Sequence, residues 1–443
     1  MKKKIFFFSL SLFSAVAVVA QTSQPLYLDE SQPIEVRVQE ALWRMILEEK
    51  VKLCTAQSKF SSHGVPRLGI PELWMSDGPH GVREEILWDS WGVAGFTNDS
   101  CTAFPALTCL AATWNPEMSA LYGKSIGEEA RYRRKDVLLA PGCNIYRTPF
   151  NGRNFEYLGE DPYLASVMVV PYVQELQKNG VAACVKHFAL NNQEKWRGHI
   201  DVDLSDRALY EIYLPAFKAA VQKGGAWSIM GAYNKIRGTH ACHNDLLLNR
   251  ILKGEWQFDG CVITDWGGAH DTREAVFNGL DIEMGTYTDG VAKNRDFAYD
   301  NYYLAKDYLK GLKDGTYPVS TVDEKAARIL RLIFRTAMNR NRPWGSFTSE
   351  THYNAARRIG EEGIVLLKNE PVKSQKSPLL PIDASKYEKI LVVGDNATRY
   401  LSGGVGATTL KVKQDILPLE TLQEMYGDKI TYTQGYAAGK PRY

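Results

Sequence analysis

Asp265 is the residue best placed in this sequence to act as a nucleophile. It follows the apolar run Cys261-Val262-Ile263-Thr264 and precedes Trp266-Gly267. A carboxylate directly after a buried parallel strand lies on the face of an α/β barrel where active sites form. An Asp there is also an ordinary helix N-cap. The adjacent Trp266 moves the reading toward a sugar subsite, where a polar and an aromatic group act together. Four further stretches resemble this one. Cys184-Val185-Lys186-His187-Phe188 ends an apolar run in two hydrogen-bond donors, where a lone His would read as a solvated strand end. Met230-Gly231-Ala232-Tyr233-Asn234 ends another run in a phenol. Trp74 to Arg83 contains Asp77-Gly78-Pro79, which taken alone signals a turn. Gly152-Arg153-Asn154-Phe155-Glu156, continuing through Gly159-Glu160-Asp161-Pro162, packs charge and glycine into a long loop, a composition that goes with function more often than with packing.

Two classes of ligand find no support. No Cys/His spacing resembles a zinc site, so neither a metal nor a cofactor is expected. Ser402-Gly403-Gly404-Val405-Gly406 lacks both the Lys-Ser/Thr of a phosphate loop and the spacing of a dinucleotide fingerprint.

Holding such strand-end groups together requires a scaffold of strands and helices in alternation. Short apolar runs at residues 137–140, 181–185, 228–233 and 261–264 read as strands buried on both faces. Between them lie helical patterns. One opens at Ser205 or Asp206 and carries Pro215, which predicts a kink or a late start. A second opens at Thr321 with Glu324 as a capping box. The fold class expected is α/β, a (β/α)8 TIM-like barrel over residues 21–340. Polar residues at several strand ends favour it over an open doubly wound sheet. A linker at 341–352 with Pro343 and Gly345 leads into residues 353–443. There a helix over 354–367 and a strand at 389–394 read as the incomplete start of an α/β sandwich domain.

Bulk properties narrow the setting. The formal net charge is +2, and Lys2, Lys3 and Lys4 supply more than all of it. No electrostatic case for nucleic acid remains. Those lysines and the apolar run Ile5 to Ala20 read as a signal peptide over residues 1–20, with a periplasmic or secreted product and no membrane association after cleavage. Seven cysteines leave at least one thiol free; Cys101 and Cys109 are a possible pair in an oxidising compartment, and Cys184 and Cys261 read as buried small hydrophobes.

Taken together, the stretches resemble glycoside hydrolase family 3. The matching segments are Asp77-Gly78-Pro79 with Gly81 and Arg83, Gly152 to Glu156, and Gly159 to Pro162. Lys186-His187-Phe188 with Asn191 to Glu194 and Arg197, Met230 with Tyr233-Asn234, and Asp265-Trp266 follow in the family's order. The resemblance implies a retaining β-glycosidase, whose two carboxyls lie about 5 Å apart. Asp265 would be the nucleophile. Asp77, Arg153, Lys186, His187 and Tyr233 would surround the sugar, with Met230 and Trp266 as apolar walls. Arg153, Lys186 and His187 would supply positive charge around Asp265. The implied partner is a carbohydrate substrate carrying a terminal β-D-glucosyl residue. A homodimer stays open.

The sequence departs from the family at the acid/base. The resemblance implies a Glu from the second domain, beyond residue 443. The alternative His loop, Lys-His-Phe-Pro-Gly-His, is absent, since this chain reads Lys186-His187-Phe188-Ala189-Leu190-Asn191. The acid/base is therefore unknown, and little activity is expected on ordinary glycosides, because general-acid assistance is worth about 10²- to 10⁴-fold. A xylosidase-like Asn-Glu-x-x-His-Gly is replaced by Asp77-Gly78-Pro79-His80-Gly81, which favours glucose over xylose. The competing readings are a β-xylosidase of the same family, an impaired sugar-binding fragment, and a phosphorolytic or transglycosylating enzyme.

Overall fold

The computed structural model describes residues 24–285, 302–371 and 376–436. The expected signal peptide lies outside the described residues. Five parallel strands form the central sheet: β1 (Met75–Asp77), β2 (Val137–Leu139), β3 (Ala182–Phe188), β4 (Ser228–Gly231) and β5 (Cys261–Thr264). Their order is β5-β4-β3-β2-β1. Every residue of all five is buried, as near-continuous apolar runs require when helices cover a parallel sheet.

The return helices follow from local chemistry. Helix α1 (Pro116–Tyr132) is capped by the Asn115 side chain and α2 (Pro162–Gln177) by Asp161, each with Pro in its first turn. The segment opening at Ser205 is capped by its hydroxyl, which accepts from Ala208 N–H at 3.2 Å. It then widens to a π-turn at Leu209–Tyr213 and restarts as α3 (Pro215–Gln222). This is the break that Pro215 predicts, since its nitrogen has no proton to continue the ladder. Helix α4 (Val319–Arg335) starts two residues before the expected Thr321. The Thr321 hydroxyl bonds back to the Pro318 carbonyl at 2.7 Å, and the expected capping box is not formed.

The expected eight-stranded barrel is seen in part. Among the described residues five strands are continuous, and single bridges extend the sheet: Ile263 with Ile282 and Thr55 with Glu283, both parallel, and Ser61 with Trp74, antiparallel. Residues 78–106, where a further βα unit would fit, contain no strand or helix. Gly78, Pro79, Gly81, Gly92, Gly95 and Pro105 interrupt any periodic run there.

Beyond the sheet, α5 (Glu350–Gly363) begins and ends earlier than the helix expected at 354–367. Gly363 packs so closely on Cys109 that a Cβ would stand 2.4 Å from its carbonyl oxygen. After it Ile364, Val365, Leu366 and Leu367 lie outside any helix or strand and are exposed. Strands β6 (Ile390–Val393) and β7 (Ile430–Thr433) pair in parallel. All seven cysteines are free thiols, Cys101 and Cys109 included, and Cys184 and Cys261 are fully buried. Among the described residues, no helix is long and apolar enough to cross a membrane.

Candidate active site

The carboxyl-terminal ends of the strands carry the expected residues into one place. Asp265 follows β5, and its N–H donates to the Gly231 carbonyl at 3.2 Å, so the turn is pinned to the end of β4. Its Oδ1 accepts from the Trp266 N–H at 2.8 Å. It does not cap the following helix. Asp271 does, accepting from Glu274 N–H at 2.8 Å. The second oxygen, Oδ2, is buried without a hydrogen-bond partner among the described residues. A buried, unpaired carboxylate oxygen is costly and calls for an explanation.

Lys186 and His187 lie at the end of β3, each 1% exposed rather than solvated. Alternation along a strand would send them to opposite faces. Instead the register between β3 and β4 slips: Val185 pairs with Ile229 and Phe188 with Gly231, so β3 carries one extra residue, a bulge. Both side chains meet the Arg153–Glu156 pair. Lys186 Nζ lies 4.0 Å from Glu156 Oε2. His187 Nε2 lies 3.0 Å from Arg153 Nη2, and Nδ1 lies 3.0 Å from the Tyr157 hydroxyl.

The tautomer of His187 follows from its partners. A guanidinium only donates, so Nε2 must hold the lone pair and Nδ1 the proton, which goes to the Tyr157 hydroxyl. Burial, followed by the charges of Arg153, Lys186 and Arg197, pushes the imidazole well below its ordinary pKa. The 3.6 Å approach of Nε2 to Asp265 Oδ2 is therefore no ion pair. The sequence-based expectation that His187 adds positive charge is corrected. Its lone pair accepts from Arg153 and its proton goes to Tyr157, so it supplies no charge, and the positive charge comes from Arg153, Lys186 and Arg197.

Arg153 anchors the loop after β2. Its Nε and Nη2 grip Glu156 at 2.8 and 3.0 Å, a bidentate pair, and its Nη1 is 3.7 Å from Glu194. Burial lifts Glu156, yet Arg153 and Lys186 more than offset this, and the carboxyl stands below its ordinary pKa. Asp77 ends β1 and accepts from Arg83 Nη1 at 3.1 Å. Here burial wins over Lys186 and Arg83, and the carboxyl is raised. Tyr233 donates to the Trp266 carbonyl at 2.8 Å, with the Arg197 guanidinium 4.2 Å above its ring. Burial, then the Asp265 carboxylate, holds its phenol well above its ordinary pKa. Trp266 donates to the Lys59 carbonyl at 2.7 Å, and both it and Met230 belong to the apolar core.

The eight expected site residues thus lie at the ends of adjacent strands or in the loops that follow them. Sequence reasoning left out the supports Arg83, Glu156, Tyr157, Glu194 and Arg197. The signal was present, because most of these lie inside the charged stretches already singled out. A separate cavity of about 740 Å³, lined by Arg147, Leu190, Asn192, Asp201, Asp203 and Asn234 among others, includes none of the eight.

Residues 47–332 match the family model described as glycosyl hydrolase family 3 N terminal domain. Beta-glucosidase BoGH3A of Bacteroides ovatus is 67% identical over 436 residues, covering 98% of this chain and 58% of that protein. Thermostable beta-glucosidase B of Acetivibrio thermocellus is 35% identical, covering 90% of this chain and 50% of that protein. The structure of beta-glucosidase 3B from Thermotoga neapolitana in complex with α-D-glucose superposes with a TM-score of 0.77 at 33% identity. It covers 90% of this chain and 55% of that one. The chain spans about half the length of the curated relatives it matches. A chain with this sheet, these strand-end residues and a match over residues 47–332 belongs to glycosyl hydrolase family 3.

Proposed function

We propose that this chain carries the sugar-binding and nucleophile-bearing part of a retaining β-glucosidase that releases terminal β-D-glucosyl residues. One observation carries the reading: Asp265 Oδ2 is buried with no hydrogen-bond partner among the described residues, 3.6 Å from His187 Nε2 and beside Tyr233 and Arg197. A carboxylate oxygen left unpaired in such a setting is available to attack an anomeric carbon. Asp77, with one oxygen on Arg83, accepts sugar hydroxyls, and Arg153 and Lys186 donate to them. Glucose rather than xylose is supported by the relatives named above, which are called β-glucosidases.

The proton for the leaving group does not come from Glu156. An acid must hold its proton near working pH, and the bidentate Arg153 contact keeps Glu156 ionised. The edge bridges at Ile282, Glu283 and Ser61 support reading the sheet as the wall of a (β/α)8-type barrel over residues 21–340. The basic and apolar N-terminal residues support export to the periplasm or beyond.

The test is covalent trapping. A 2-deoxy-2-fluoro-β-D-glucoside with an activated phenolate leaving group needs no acid. It should label the chain once, on the peptide carrying Asp265. Phenol release without a covalent adduct, or an adduct on another carboxylate, overturns the assignment.

A further inference from the structure

We propose that His243 is a positioning residue for the reaction: through the backbone of His270 it sets the turn that aims Asp265. The proposal rests on the reading of the site as a retaining β-glucosidase centre. The turn after β5 is fastened at successive points. Asp265 N–H bonds to the Gly231 carbonyl, Gly267 N–H donates to the Met284 carbonyl at 3.2 Å, and Gly268 N–H to the Asp265 carbonyl at 2.9 Å. The far end is held by a side chain, because His270 N–H donates to His243 Nε2 at 3.1 Å. His243 is buried and closes a short 3₁₀ turn, Ala241–His243, whose Ala241 N–H donates to the Asn234 carbonyl at 2.9 Å. Its neighbour Cys242 seats that turn. A Cβ on Gly268 would stand 2.5 Å from the Cys242 Sγ, and one on Gly231 2.8 Å. The Ala241–His243 turn is thus packed against both the end of β4 and the turn after β5.

Only a neutral imidazole can hold the turn in this way. A backbone N–H donates, so Nε2 keeps its lone pair and the proton sits on Nδ1. Nδ1 faces Glu274 Oε2 at 2.7 Å without hydrogen-bond alignment. Burial, then the nearby His240 and His270, push the pKa of the ring down to about 4. The same cluster reaches Tyr233. His240 Nδ1 lies 3.0 Å from the Tyr233 carbonyl and therefore carries its proton there, and the His240 and His270 rings stack with centroids 3.8 Å apart. Three imidazoles accordingly join the segment that carries Tyr233 to the turn that carries Asp265. Helix capping does not account for the His243 bond, since Asp271 already caps the helix that follows. What the bond adds is a fixed exit for the Asp265 turn, and a small misplacement of a reacting group costs rate steeply.

The experiment times covalent labelling of the full chain by the same 2-deoxy-2-fluoro-β-D-glucoside at saturation. The rate is read per labelled site, so that unfolded molecules drop out. His243→Leu should label Asp265 on the order of 10- to 100-fold more slowly. Glucose affinity should stay within about threefold, since Asp77, Arg153 and Lys186 keep their partners. His243→Gln should recover most of the rate, because its Oε1 stands as many bonds from Cα as Nε2 does and accepts the same N–H. A purely structural role would lower the number of labelled sites and leave the rate per site unchanged, and that outcome overturns the proposal. So does a His243→Gln protein as slow as His243→Leu, or a loss of glucose affinity in parallel with the rate. In each of these cases the glucosidase reading stands, because the unaltered chain is still labelled on Asp265. If the unaltered chain is not labelled there, that reading fails and the role of His243 with it.

Discussion

His187 and Asp265 approach to 3.6 Å, imidazole Nε2 to carboxylate Oδ2, with no proton between them. Arg153 occupies the Nε2 lone pair from the other direction at 3.0 Å, which leaves the facing Asp265 oxygen unpaired. A protonated histidine in the same place would form a salt bridge and blunt the carboxylate. The arginine thus keeps His187 neutral and Asp265 open.

Replacing Asp265 by Asn keeps the shape of the turn and its bond to Trp266 while removing the attacking oxygen. The turnover number on an activated aryl β-glucoside should fall by at least about 10⁴-fold, while glucose still binds. Steady-state phenol release and glucose calorimetry read the two properties separately. Retained turnover would place the nucleophile elsewhere.

Arg153→Lys keeps the charge but loses the fork that grips Glu156 and the bond to His187. Each charge-assisted bond is worth about 1.5–3 kcal/mol, so kcat/KM on the same substrate should drop on the order of 10- to 100-fold. A value equal to the unaltered protein's would show that the charge alone matters.

His187 has a folded pKa below its unfolded value near 6.5, so the unfolded chain takes up the proton first. Its neutral form adds stability that is present above the unfolded pKa and is lost as pH falls below it. His187→Gln should therefore flatten the decline of Tm between about pH 7 and pH 5. Melting curves of the two proteins across that window, compared as a difference, check this. An unchanged slope would mean that His187 is charged in the fold.

His352 carries the opposite sign. Nδ1 lies 2.8 Å from Glu129 Oε1 and Nε2 2.9 Å from Glu128 Oε2, so both nitrogens donate and the ring is a cation. Although burial opposes it, the bonds to Glu129 and Glu128 raise its pKa above the ordinary value. The stabilisation is complete below the unfolded value near 6.5 and is lost as pH rises through the folded one. This imidazolium ties α5 to α1. His352→Gln should cost about 3–5 kcal/mol near pH 6, because Glu129 is left buried without its cation, and less at pH 9. Denaturant titrations at the two pH values test it, and an equal loss at both would refute the charged state.

Much of this was legible in the residues themselves. Four sheet strands announced themselves as short apolar runs, with Lys186, His187, Tyr233 and Asp265 at or just past their ends; Asp77 came from a turn, Arg153 from a charged loop, and the site roles from the family resemblance. Pro215 predicted the broken helix. Other features were not legible. The Thr321 capping box failed because Pro318 offered the hydroxyl a nearer acceptor. Of the expected eight strands five are continuous among the described residues, and the glycine- and proline-rich stretch 78–106 has no period to read.

The order of hydrophobic runs and the residue types at their ends were enough to determine an α/β sheet, its polar edge and the carboxylate that follows β5. Those depend only on burial and on covalent neighbours. Two matters were decided by the tertiary structure. Lys186 and His187 both reach the Arg153–Glu156 pair, although their adjacency in a strand argues for opposite sides. The guanidinium of Arg153, 34 residues away along the chain, fixed which nitrogen of His187 holds the proton. Register and protonation both depend on partners distant in the chain, and only folding brings those partners within bonding distance.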